Sequence, residues 1–357
     1  MQSMSDPALD ALFLPLEQRQ IAWPDDGALF LRARAGVPTT GGRWPGLVCE
    51  QSFQPLHAAL QRSGLEVLPA ETGDPMLPRK PLVLVLPPRQ RDESRAVLAR
   101  ALQAVTPGGW VMASVANDEG AKSAQDDLAR IAGNIGALSK HKCRVFWAQA
   151  GDTVDAALVE SWSALDRPRE VLGGRFLSRP GVFAWDRIDP ASALLAAHLP
   201  ATLAGRGADL GAGYGFLSSE LLQRCAGITA LDVFEAEGRA LALARHNLDA
   251  LGAKALIGYH WHDVTAGLPQ RYDFIVSNPP FHAHGREGRP DIGRAFIAAA
   301  ASALNPGGAL WLVANRHLPY EDVLDARFGE VREVASSGAF KVIHAVRARA
   351  ASARQRA

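Results

Sequence analysis

The stretch Asp273-Phe274-Ile275-Val276-Ser277-Asn278-Pro279-Pro280-Phe281-His282 constrains the fold more than any other part of the chain. Its first half is a β-branched and aromatic run that reads as a buried strand. Two successive prolines cannot continue a ladder, so the strand ends at Asn278. Pro279 also pushes Asn278 toward extended backbone, which holds its carboxamide out beyond the strand. The result is a rigid turn at the carboxyl end of a strand, where open α/β sheets place their ligands. It offers a side-chain amide, proline carbonyls with no competing N–H, and the Phe281 ring. That set suits gripping a planar nitrogen base and accepting hydrogen bonds from its amino group. All three residue types are also ordinary turn formers, so the reading depends on what lies upstream.

A length of 357 residues leaves room for two domains, each with its own core. Composition shifts between Arg167-Pro168-Arg169 and Gly173-Gly174, which places the boundary near residue 170 and divides the chain into 1–170 and 171–357. Hydrophobic content of 48% and mean hydropathy of -0.03 are those of an ordinary globular protein. No apolar run is long enough to span a bilayer, and Met1-Gln2-Ser3-Met4-Ser5-Asp6 lacks the basic and apolar regions of a signal peptide. The three cysteines, Cys49, Cys143 and Cys225, fit neither a disulfide framework nor a zinc spacing, so a reducing cytoplasm is expected. A net charge of +1 carries no global basic excess. Local clusters such as Lys140-His141-Lys142 with Arg144 permit an RNA partner without arguing for one.

Strands and helices alternate along the chain and predict an α/β fold. The succession in the first half is Leu82–Leu86 ending in Pro87-Pro88, a helix from about Asp92 to Val105, Pro107-Gly108-Gly109, then a strand with Val115-Ala116-Asn117. The second half repeats it: Phe274–Ser277, Pro279-Pro280, a helix, Pro306-Gly307-Gly308, then Val313-Ala314-Asn315. Lys142–Trp147 matches Phe340–Ala345 as the closing strand. Such ordered landmarks predict an internal duplication. The copies differ at their chemistry. Leu86 stands where the second half has Asn278, and Ala35-Gly36-Val37-Pro38 stands where it has a glycine loop. The first domain is expected to keep the fold without the activity.

That loop is Gly211-Ala212-Gly213-Tyr214-Gly215, after a strand and before a helix, where missing Cβ atoms let backbone approach a ligand. It is one residue shorter than the loop that holds a dinucleotide pyrophosphate. Asp209 precedes the loop, Asp232 is expected to end the next strand, and His262-Asp263-Val264 is expected to end the third. Singly these acids are ordinary cap or turn residues. Together, three carboxylates at successive strand ends describe a site for a positively charged adenosine derivative, and S-adenosylmethionine fits. Asp209, Gly211, Gly213, Gly215, Asp232, Asp263, Val264 and Asn278 are therefore the candidate cofactor-binding residues. The alternating pairs His260/His262 and His282/His284 have no nearby cysteine, and no metal site is predicted from them.

With these motifs in place, the chain resembles class I methyltransferases that modify exocyclic amino groups. Asp-Leu-Gly-Ala-Gly-Tyr-Gly and Ser-Asn-Pro-Pro-Phe-His carry the resemblance, extended by Pro180-Gly181-Val182-Phe183, Leu318-Pro319-Tyr320 and Phe340-Lys341-Val342. Over its whole length it is similar to the two-domain bacterial ribosomal RNA guanine-N2 methyltransferases, the small-subunit enzymes foremost and the large-subunit enzyme close behind. The resemblance implies two tandem class I (Rossmann-like) domains with a degenerate N-terminal copy that assists RNA docking or supports its neighbour. It implies methyl transfer to a guanine N2 of ribosomal RNA, naked or in an assembled subunit; a monomer is the expected state.

In that reading Asn278, Pro279 and Phe281 are the catalytic residues. The Asn278 side-chain oxygen and the Pro279 carbonyl accept the two N–H bonds of the target amine, localising a lone pair otherwise delocalised into the ring. Phe281 stacks on the extruded base. Adenine-N6 and protein-glutamine methylation use a similar turn, and a non-catalytic RNA-binding assembly factor is a further alternative. A dehydrogenase is disfavoured by the short glycine loop.

Overall fold

The computed structural model describes residues 6–70, 73–280 and 290–349. The chain forms two compact units, Met1–Arg169 with Arg179–Gly181, and Glu170–Ser178 with Val182–Ala357.

Each unit is built on a seven-stranded sheet, and the two sheets share one strand order. Across the first sheet run Glu66–Val67, Leu47–Glu50, Ala28–Leu31, Lys80–Val85, Val105–Ala116, Cys143–Gln149 and Ile135–Lys140. Across the second run Leu256–Trp261, Gly227–Glu235, Ala204–Leu210, Tyr272–Ser277, Leu304–Asn315, Phe340–Val346 and Glu330–Ser337. The first five strands of each are parallel, and the last two form an antiparallel edge. Helices must cover both faces of such a sheet, because parallel strands are joined by crossovers. The side chains agree. Leu29 and Leu31 enter one core while Ala28 and Phe30 enter another. Val233 and Phe274 likewise part from Phe234 and Ile275.

The predicted duplication is present as topology, but its register differs in two places. Leu31 pairs with Glu50 and Val85, as Leu210 pairs with Phe234 and Ser277. Leu86 therefore does hold the position of Asn278. The same register makes Arg32-Ala33-Arg34-Ala35-Gly36 the counterpart of the glycine loop, in place of Ala35–Pro38. In the closing strands Ala116 pairs with Cys143 as Asn315 pairs with Phe340, so the two Val-Ala-Asn tripeptides are out of step by one residue. Side chains alternate along a strand, so a slip of one residue exchanges the faces of the sheet.

Two loop expectations also change. The Pro-Gly-Gly segments lie inside the strands Val105–Ala116 and Leu304–Asn315 as bulges, where the ladder skips from Val105 to Trp110 and from Leu304 to Ala309. The linker around Gly173-Gly174 folds as a small hairpin of Arg169–Val171 with Phe176–Ser178, turned through Leu172, Gly173 and Gly174 at positive φ.

Candidate functional site

The second sheet brings the glycine loop and the Asn-Pro-Pro turn to the same edge. The strands Ala204–Leu210 and Tyr272–Ser277 are direct neighbours, and Ser277 Oγ donates to the Leu210 carbonyl at 2.8 Å. That bond fixes Asn278 beside the start of the loop. The loop is held in turn by Phe234, whose carbonyl accepts from Gly211 N at 2.9 Å and Ala212 N at 3.1 Å. Buried Asn247 donates to the Tyr214 carbonyl at 2.8 Å, and Tyr214 Oη donates to the Arg187 carbonyl at 3.1 Å. Gly211, Gly213 and Gly215 have φ of 75°, 57° and 93°, a region costly for residues with a Cβ. A Cβ on Gly213 would meet nothing within 4 Å, so open space adjoins the loop where a ligand's body would lie.

The three predicted carboxylates part company. Asp209 is fully buried at the penultimate position of its strand. Its Oδ2 accepts from Ser218 Oγ at 2.7 Å, and Oδ1 is enclosed without a partner among the described residues. Burial pushes its carboxyl up to about 7. Asp263 caps the short helix Val264–Ala266 through Oδ1, which accepts from Thr265 N at 2.9 Å, and Val264 is buried beside it. It lies just beyond the end of the Leu256–Trp261 strand, at the predicted edge.

Asp232 is a correction. Its strand does not stop there but runs on to Glu235, and Asp232 pairs with Ala208, below the edge. Its carboxylate is committed elsewhere, to Arg206 Nη1 at 2.9 Å and His260 Nε2 at 3.0 Å. Burial works against its charge, yet those partners hold the carboxyl below its ordinary range. The acid at the strand end is Glu235. Its Oε2 accepts from Gly213 N at 2.8 Å and its Oε1 from Glu237 N at 2.8 Å, and burial raises its pKa. Sequence reasoning passed over it because Val233-Phe234 is apolar enough to continue a strand and nothing local marks where the ladder ends.

A second omission concerns Asn278. Its Nδ2 donates to Asp189 Oδ2 at 2.9 Å and to Ser192 Oγ at 2.8 Å, while Oδ1 is enclosed without a partner among the described residues. Asp189 is the N-cap of the helix Pro190–His198. The Asp-Pro-x-Ser spacing announces a helix start and says nothing of a second duty. Phe183, two-thirds exposed, Ala184 and Phe216 complete a small cleft of about 40 Å³ with Gly211, Gly213 and Asn278. Phe281, His282 and His284 lie outside the described residues. His260 stacks on Phe234 at 4.5 Å and His262 Nε2 lies 2.6 Å from the Gly267 carbonyl, so both are already engaged. Among the described residues no cluster of metal-ligating side chains occurs, and no helix is long and apolar enough to cross a membrane.

A cationic adenosyl ligand fits this edge on two counts: open space beside Gly213, and the enclosed oxygens Asp209 Oδ1 and Asn278 Oδ1, which have no partner among the described residues. Strand order, glycine loop and acidic strand end together define a class I S-adenosylmethionine-dependent methyltransferase fold. Residues 173–344 match the methyltransferase small domain family. The chain is 31% identical over 264 residues to the ribosomal RNA small subunit methyltransferase C of Salmonella paratyphi A, covering 74% of this chain and 75% of that one. It is 38% identical over 169 residues to the protein of that name from Sodalis glossinidius, which spans 47% of each chain. The solved T. thermophilus 16S rRNA N2 G1207 methyltransferase (RsmC), in complex with AdoMet and guanosine, superposes with a TM-score of 0.78 at 25% identity, over 97% of this chain and 93% of that one. The chain belongs to the ribosomal RNA small subunit methyltransferase C family.

Proposed function

We propose that the second unit transfers a methyl group from S-adenosylmethionine to the exocyclic N2 amine of a guanine in 16S ribosomal RNA, presented naked or within a subunit. The observation that carries this reading is the Asn278 carboxamide. Its oxygen has no partner among the described residues and lies at the end of the fourth strand of the parallel sheet, beside a glycine loop with open space next to it. When bound, S-adenosylmethionine supplies an electrophilic methyl group on a sulfonium.

The chain's own residues do the rest. Gly211 and Gly213 allow backbone close to the cofactor, Glu235 accepts from its ribose hydroxyls, and Asp263 with Val264 bounds its base. Asp209, buried behind the loop with its carboxyl pushed up to about 7, takes its charged form more readily when a cation lies close by, and that coupling favours a cationic ligand. The Asn278 oxygen and the Pro279 carbonyl accept the N–H bonds of the guanine amine, which aims its lone pair and draws charge onto nitrogen where the new bond forms. The name and ligands of the T. thermophilus structure support guanine as the base. The first unit supports its neighbour or docks RNA, and the enzyme works as a monomer in the cytoplasm.

Single-turnover transfer of tritiated methyl to 16S rRNA and to assembled small subunits tests this, with nucleoside digestion to identify the product. Asn278→Ala is expected to slow transfer by roughly a hundredfold or more, the scale of one lost transition-state hydrogen bond, with cofactor affinity little changed. Near-normal transfer by that variant would make the turn structural and remove the reading.

A further inference from the structure

An asparagine amide has two faces of opposite character. One offers an acceptor oxygen, the other two donor hydrogens, and rotation about the last side-chain bond exchanges them. An active site that needs the oxygen outward must therefore hold it there. We propose that Asp189 and Ser192 are positioning residues that lock the Asn278 carboxamide with its oxygen toward the reacting amine. This inference rests on the function proposed above.

Both Asn278 Nδ2 hydrogens have acceptors in place, Asp189 Oδ2 at 2.9 Å and Ser192 Oγ at 2.8 Å. The donor side of the amide is thus saturated, and the acceptor oxygen is enclosed without a partner among the described residues. The rotated amide would set its oxygen against the Asp189 carboxylate, which has no proton to give. Two acceptors would then face each other, and two donors would project toward the incoming amine hydrogens.

The lock is rigid because it is part of a helix start. Asp189 Oδ2 also accepts from Ser192 N at 2.8 Å, and Pro190 fixes the first helical turn. One carboxylate oxygen thereby ties the amino end of the helix Pro190–His198 to the carboxyl end of the strand Tyr272–Ser277. The same residues that cap the helix decide which face of Asn278 meets the substrate.

The test separates capping from locking. In the double variant Asp189→Ser/Ser192→Ala, serine keeps the N-cap acceptor and alanine keeps the backbone N–H that it caps, while both acceptors for Asn278 are removed. Single-turnover methyl transfer at saturating cofactor and RNA should fall at least tenfold. The cofactor dissociation constant by titration calorimetry should stay within twofold of wild type, and the thermal midpoint should barely move. Ser192→Ala alone should lose a few-fold in rate, and Ser192→Thr, which keeps the hydroxyl, should restore it. If the double variant does not fold, this single-site pair decides: equal rates for alanine and threonine overturn the lock. A double variant that transfers at the wild-type rate overturns it too, as does one whose whole loss lies in cofactor affinity. Asn278→Ala measured in parallel keeps the two readings apart. If it is slow while the double variant is normal, the lock falls and the proposed function stands.

Discussion

The two sheets are near copies in topology and opposites at the carboxyl ends of three strands. Where the second unit has Gly211 at φ 75°, the first has Arg32 at φ 57°, so the backbone bend is kept after the glycine is gone. The Arg32 guanidinium reaches Ser52 Oγ at 2.9 Å and Glu93 Oε1 at 2.5 Å, so the side chain that replaces the glycine is tied into the framework of the first unit. Phe30 replaces Asp209 and Leu86 replaces Asn278. Gln51 replaces Glu235 and keeps part of its geometry: Gln51 Oε1 accepts from Phe53 N at 2.8 Å, as Glu235 Oε1 accepts from Glu237 N. A cavity of about 380 Å³ in the first unit takes in Leu31 and Glu50 at two of these strand ends, and its other walls carry Arg100, Arg179, Asp74 and Asp166, which pair with one another. Framework contacts outlast the groups that would touch a ligand. A backbone bend or a turn hydrogen bond serves folding, whereas an enclosed carboxylate or an orphaned oxygen costs free energy until a partner meets it.

Importing the first unit's residues into the second should break the difference in graded steps. Gly211→Arg is the severest, because it recreates Arg32 where the cofactor approaches. Calorimetry should show wild type binding one S-adenosylmethionine per chain and the variant binding none, with a retained circular dichroism spectrum. Two sites per wild-type chain, or tight binding by the variant, would sink the contrast.

Glu235→Gln recreates Gln51 and is a milder step. Removing the charged acceptor should weaken cofactor binding by roughly 1–3 kcal/mol while the loop contacts persist. Asp232→Ala sharpens the same point from the other side. It strands Arg206 and His260, so it should lower stability in a urea titration by about 1–3 kcal/mol and leave the cofactor constant close to wild type. A large affinity loss from Asp232→Ala, with none from Glu235→Gln, would place the ribose contact on Asp232 instead.

The pH dependence of Asp209 comes next. Its folded pKa of about 7 lies above the value of 3.8 that it has when free, so the folded protein binds the extra proton between those values. Stability from this group is full at low pH and is lost as pH rises toward 7. Asp209→Asn cannot ionise. Its stability relative to wild type should therefore grow from pH 5 to pH 8, at most about 1.4 kcal/mol per pH unit. A difference that is flat with pH would mean that Asp209 is ionised throughout. The smallest effect belongs to the first unit. Leu86→Met, a volume-conserving change at a buried position, should cost less than about 1.5 kcal/mol and leave methyl transfer intact.

Much of this is legible in the sequence, because it rests on local backbone chemistry. Two prolines end a strand at Asn278 whatever surrounds them. Spaced glycines at 211, 213 and 215 announce close approach, and alternating strands and helices with matched punctuation announce two α/β units. Phe281 follows from the same turn chemistry and lies outside the described residues. Pairing across the sheet was another matter. Asp232 and Glu235 are equally plausible ends for a strand of Ile, Leu, Val and Phe, and only the register with Ala204–Leu210 puts Glu235 at the edge and Asp232 below it. The same blindness set the Val-Ala-Asn tripeptides one residue out of step.

The sequence by itself determined the elements, the turn and the identities of the groups at its tip, because those follow from bonds between neighbouring residues. Tertiary structure decided which of those groups are free to act. Asp189 and Asn278 are far apart in the chain and 2.9 Å apart in space, and that contact alone turns an ambiguous amide into a directed acceptor. A hydrogen bond of this kind depends on angles and distances that no local propensity encodes, so it appears only when a helix start and a strand end meet.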